Sequence, residues 1–158
     1  MKDRIIRESI DSLRQDGLKF SVDTLAEKLK ISKKTIYKFF PNKESLATSL
    51  YDAYYANLAI QVESIGRSGG NGIPAKLLHL YFDSKVMTRA EIFNKYKLNE
   101  VIHLYIAQKD DALWAQLCSL LQPRDPEVLR IIVDGALEKL CSEHLDPHSV
   151  IERLVELL

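Results

Sequence analysis

Between residues 28 and 43 the chain carries six lysines, at positions 28, 30, 33, 34, 38 and 43, and no acidic residue. Ammonium groups in a single-signed run neutralise phosphates and release their counterions. That supplies most of a protein's affinity for nucleic acid and makes the affinity fall steeply with salt. Thr35 and Lys34 are short or flexible enough to reach base edges, and the Tyr37 hydroxyl suits a phosphate oxygen unless its ring packs half-buried. The other chemistry-bearing side chains are scattered. His79, His103, His144 and His148 stand apart, and Pro147 between the last two spoils the i, i+4 spacing of a helical metal face. Cys118 and Cys141 have no metal-ligand spacing and read as buried thiols of a reducing compartment. No nucleophile with its base and no paired carboxylates emerge, so neither catalysis nor a metal or cofactor is expected.

Two short helices must position the lysines. Ser21 can cap a helix whose inner face holds Val22, Leu25, Ala26 and Leu29, with Ala26 small enough for a close crossing. Lys30 and Ile31 interrupt the pattern. Ser32 can then cap a second helix beginning at Lys33, with Ile36 and Phe40 buried and Lys33, Lys34, Thr35, Tyr37 and Lys38 outward. Two helices joined so tightly make a helix-turn-helix, in which the second helix enters the major groove and the first lies across the backbone.

With Gly17, Ser21, Leu25, Ala26, Ile31 and the run S-K-x-T-I-Y-x-x-F-x-N-K-E-x-L from Ser32 to Leu46, the first 50 residues or so resemble the TetR family of bacterial transcription regulators. The resemblance implies that Lys33, Lys34, Thr35, Tyr37, Lys38 and Phe39 face DNA and that Lys43, opening helix four, contacts a phosphate. Ser21 and Ser32, at the two helix starts, complete the expected DNA-binding set. Three residues depart from the family's usual pattern. Lys30 stands where the turn commonly has glycine, at a cost of roughly 1 kcal/mol if its backbone is left-handed. Lys34 replaces a small residue, and Phe39 stands where histidine or tyrosine is frequent.

Net charge is zero over 158 residues, yet residues 1–45 carry 11 Lys and Arg against 7 Asp and Glu while the remainder carries 11 against 15. A basic head on an acidic body suits a nucleic-acid partner better than the global balance suggests. Hydrophobic residues, 46% of the chain, suffice for a core. No apolar run approaches the roughly 20 residues of a membrane span, and the charged amphipathic start is unlike a signal peptide, so a cytoplasmic protein is expected.

The whole chain shows helical periodicity. Helix one covers 2–16 with Ile6, Ile10 and Leu13 inward, and helix four runs from Lys43 to about Ile65 along Leu46, Leu50, Tyr54, Leu58 and Val62. GRSGGNGIP breaks it. Helix five covers about 74–86, Thr88 with Glu91 caps a short helix six, and helix seven covers about 99–121 with an interruption near Asp110. Asp125–Pro126 and Asp146–Pro147 open helices eight and nine. These last two are apolar over wide arcs, which implies burial on more than one side. The expected dimer contacts are Val128, Ile132, Leu137, Leu140, Ile151, Leu154, Val155 and Leu158; the resemblance likewise implies a dimeric four-helix interface.

The expected architecture is therefore all-α with about nine helices: a three-helix DNA-binding head with a helix-turn-helix (residues 1–45) and a helical regulatory and dimerisation body (46–158). By resemblance, the body encloses a cavity for a small apolar or aromatic effector. Tyr55, His79, Phe82, Phe93, Tyr96, His103, Tyr105 and Trp114 are candidate lining residues, although an aromatic stripe equally makes ordinary core. The function expected is a homodimeric transcriptional regulator, a repressor released from a palindromic double-stranded operator by its effector, with helix four as the lever. Two rivals are a DNA-binding protein without an effector and a helical dimeric interaction module.

Overall fold

The computed structural model describes residues 1–16, 21–85, 100–143 and 145–158. Among the described residues there are eight helices and no strand: α1 (Lys2–Asp16), α2 (Val22–Leu29), α3 (Lys33–Phe39), α4 (Lys43–Ser68), α5 (Ile73–Ser84), α6 (Glu100–Leu121), α7 (Pro126–Glu143) and α8 (His148–Val155). The protein is all-α. The extra short helix anticipated at Thr88–Glu91 lies outside the described residues, as do Phe93, Tyr96 and His144.

Contacts group the chain into two compact units: residues 1–57 with the described part of 86–110, and residues 58–85 with 111–158. In the first unit, Ile5, Val22, Leu25, Ala26, Leu29, Ile36, Phe40 and Leu46 form one buried cluster, with Ile6 and Ile31 packed at its margin. Helix α1 presents the face expected of it only in part, at Leu13. Ile5, Ser9, Ser12 and Leu13 are buried, whereas Ile6 and Ile10 are only half-covered. The reason is close packing of α1 on α2. Serine is small enough for the approach, and each hydroxyl has a partner: Ser9 Oγ donates to the Ile5 carbonyl at 2.7 Å, and Ser12 Oγ accepts from Lys28 Nζ at 3.2 Å.

Helix α4 has the apolar face its i, i+4 spacing predicts, since Leu46, Leu50, Tyr54, Leu58 and Val62 are all buried. It continues through Gly66, where an added Cβ would stand 3.0 Å from Leu120 Cδ1. The helix gives way only at Gly69 and Gly70, whose φ of 69° and 95° suit glycine. Helix α6 runs unbroken through Asp110, which is buried and accepts from the Tyr55 hydroxyl at 3.5 Å. A partnered carboxylate leaves the helix no reason to open there.

In the second unit, the Tyr81 and Trp114 rings meet at 5.0 Å, and the Tyr81 hydroxyl donates to Asp134 at 3.2 Å. Helix α5 packs on α8. Asp125 caps α7 as expected, accepting from Val128 N at 3.1 Å, while α8 starts one residue later than expected, with Asp146 accepting from His148 N at 3.3 Å. No helix among the described residues is long and apolar enough to cross a membrane.

Candidate nucleic-acid interface

The two helix starts of the motif are built alike. Ser21 Oγ accepts from Thr24 N at 3.1 Å and shares a 2.8 Å hydrogen bond with Thr24 Oγ1. Ser32 repeats the arrangement on Thr35, at 3.1 Å to the backbone nitrogen and 2.9 Å between hydroxyls. Each side chain satisfies an orphan donor of a helix too short to stand alone. Ser21 and Ser32 therefore serve first as caps. Thr35 is half-buried with its hydroxyl engaged, and it keeps acceptor capacity toward a ligand.

Between the helices Lys30 is left-handed, with φ 54° and ψ 44°. Lys30 N donates to the Glu27 carbonyl and Ile31 N to the Ala26 carbonyl, both at 3.0 Å. This is the double bond pattern that closes a helix over a left-handed residue, with Ile31 packing back on the core. Only the left-handed conformation lets the chain turn in three residues, so the lysine accepts a strained backbone. Lys30→Gly is expected to raise stability by about 0.5–1 kcal/mol. A urea midpoint unchanged or lowered by this substitution would contradict the strain assignment.

Helix α3 buries Ile36, and Phe40 closes it, its amide donating to the Ile36 carbonyl at 3.0 Å. The opposite side is open: Lys33, Lys34, Tyr37, Lys38 and Phe39 are exposed, the two rings at 38% and 40%. Tyr37 is thus an accessible ring rather than a core ring. Asn42 Oδ1 accepts from Ser45 N at 2.7 Å, capping α4 and placing exposed Lys43 at its first position.

Two lysines of the run are occupied within the chain. Lys28 reaches back to Ser12. Lys33 is ion-paired with Asp23 on α2, and this hydrogen-bonded carboxylate, with its charge, holds the ammonium pKa above the usual lysine value. The count of acids between residues 28 and 43 missed Asp23 because it lies ten positions upstream; only the fold of α2 against α3 brings it near.

The expected effector-lining residues are dispersed. In the first unit Tyr55 is buried against Asp110, Tyr105 donates to Asp52, and His103 is exposed. In the second, Phe82 and Trp114 are buried and His79 stacks on His148 at 5.9 Å. Among the described residues of this set, none lines the ≈ 320 Å³ cleft between α1 and α4, whose walls include Ile6, Arg7, Ile10, Arg14 and Tyr54. No group of three or more metal-capable side chains occurs among the described residues.

The expected dimer set divides in the same way. Leu137, Leu140, Ile151 and Leu154 are buried within the chain itself, and Val155 and Leu158 are half-buried. Val128 and Ile132 are exposed at 50% and 41%, and Ile131 beside them at 72%.

Residues 5–50 match the family model described as bacterial regulatory proteins, tetR family. No curated protein and no solved structure matches the chain. The matched segment contains every side chain of the α2–α3 surface, from the Ser21 cap to Lys43. Residues 5–50 are therefore similar to the N-terminal helix-turn-helix segment of the tetR family, a family of DNA-binding transcriptional regulators.

Proposed function

We propose that the protein is a homodimeric, sequence-specific regulator that binds a palindromic operator through α3 and represses the gene it controls. The observation that carries this is the outward side of α3, where Lys34, Lys38, Tyr37 and Phe39 stand open on a helix whose other side closes the head core. On this reading Lys34, Lys38 and Lys43 contact phosphates and fix register, while Thr35 and the exposed rings meet base edges and thymine methyl groups. Residues 1–45 are the DNA-binding segment and 46–158 the regulatory and dimerising one, and the protein acts in the cytoplasm without catalysis.

Val128, Ile131 and Ile132 fall at i, i+3 and i+4 on α7 and leave an apolar stripe exposed. Gly135 continues it one turn on, with open space where a Cβ would sit. A second copy of α7 suits such a stripe, and a twofold dimer would present two recognition helices to successive major grooves. Selecting binders from a random duplex pool with the whole protein should enrich an inverted repeat. Ile131→Glu should sediment as a monomer with unchanged helicity and lose the preference for paired half-sites. A dimer that survives the substitution removes this stripe from the interface; an enriched site without symmetry removes the palindrome.

Control by a small apolar or aromatic effector, acting through α4 by favouring one head spacing, follows the family pattern. A second reading, regulation without an effector, is favoured by the packing of Trp114. Its ring is 6% exposed, lies against Tyr81, and has the Arg130 guanidinium 6.0 Å away. An aromatic so enclosed behaves as core. Head spacing identical with and without operator would leave the second reading standing.

A further inference from the structure

Asp23 is the second residue of α2 and Lys33 the first of α3, and the turn through left-handed Lys30 brings their charged ends together. Both side chains remain accessible, Lys33 at 54% and Asp23 at 64%. The lysine therefore faces solvent, and any duplex on α3, already holding an anionic oxygen. Carboxylate and phosphate compete for the same ammonium, and a pair in water is weak enough to be exchanged. Lys34 and Lys38, on the same helix, are in no ion pair among the described residues.

We propose that Asp23 restrains the affinity of the head by occupying Lys33, so that a phosphate must displace the carboxylate before this lysine can strengthen a complex. This rests on the DNA-binding reading above. Asp23 touches no DNA and acts through Lys33; it is a positioning residue. In a loosely seated complex Lys33 stays with Asp23 and adds nothing to affinity. In a well-seated complex a phosphate replaces the carboxylate, and the freed Asp23 gathers a cation in exchange for the one that the duplex releases. Lys33 then contributes little to the salt dependence.

The test measures binding of the full chain to a labelled random-sequence duplex pool across a salt series, and to a duplex selected from it. Asp23→Asn should bind the selected duplex roughly 3–5-fold more tightly than the parent, the size of a weak exposed ion pair. The random pool should gain no more than that, so the specificity ratio does not fall. The slope of log K against log salt on the random pool should steepen by about 0.9, one additional counterion. Asp23→Glu should restore parental behaviour. Removing an acid favours DNA through net charge alone, so the decisive comparison is made in a Lys33→Gln background, where Asp23→Asn should no longer steepen the slope. A slope that Asp23→Asn leaves unchanged overturns the proposal, as does a steepening that persists without Lys33. If the parent binds no duplex at any salt, the DNA-binding reading itself fails, and this inference with it.

Discussion

Replacing Lys34, Lys38 and Lys43 together by alanine should lower duplex affinity roughly hundredfold per engaged head at 0.15 M salt. Each neutralised phosphate contributes about 0.9 to the salt slope, which between 1 M and 0.15 M amounts to a factor of about 5; three contacts multiply to the figure given. The slope should flatten by about 2.7 per head, and random and selected duplexes should weaken alike, because phosphates carry no base identity. All three side chains are exposed, so circular dichroism and the urea midpoint should stay put. Lys33→Ala should do much less than Lys43→Ala, since Asp23 already neutralises Lys33. Were the triple variant to keep the parental salt slope, the phosphates would have to lie elsewhere and α3 would not be the duplex-facing helix.

Phe40→Ala should destabilise the head by about 3–5 kcal/mol. The ring is 1% exposed and sits in the cluster with Ile5, Leu25 and Ile36. Lys2 Nζ lies 5.7 Å from its centroid. Removing it deletes the largest apolar group of a small core and leaves a cavity that neighbours on three short helices cannot fill without losing their own contacts. Such a loss is a large share of the 5–15 kcal/mol stability of ordinary domains. Amide exchange in α2 and α3 should accelerate by two to three orders of magnitude, and duplex binding should fall with the folded population. A destabilisation below 1 kcal/mol would mean that Phe40 is peripheral to the head core.

The two predictions separate what α3 owes to its surface from what it owes to its interior, and both halves were readable locally. Val22, Leu25, Ala26, Leu29 and Ile36 recur at helical spacing, and Ser21 and Ser32 precede the two runs. Backbone geometry over three or four residues decides both features, so they survive without knowledge of the rest of the fold. Even Lys30 could be read conditionally, because a turn this short requires a left-handed residue whatever occupies it.

Other features depended on what packs where. An apolar spacing on α1 allowed Ile6, Ile10 and Leu13 as the inner face; Leu13 is buried, yet close approach of α2 put Ile5, Ser9 and Ser12 beside it in place of Ile6 and Ile10, which periodicity cannot rank. The wide arcs of α7 and α8 announced more than one buried side, but only packing divided Leu137, Leu140, Ile151 and Leu154 inside from Val128, Ile131 and Ile132 outside. Aromatic spacing grouped Tyr55 with Trp114, and the fold placed them in different units. The Asp23–Lys33 pair had no signature at all in the order of residues. By itself the sequence determined the helices, their caps and the sign of the α3 surface, since these arise within a few neighbouring residues. Tertiary structure alone decided which faces are covered and which charges are already matched, because those energies depend on distances between segments remote along the chain.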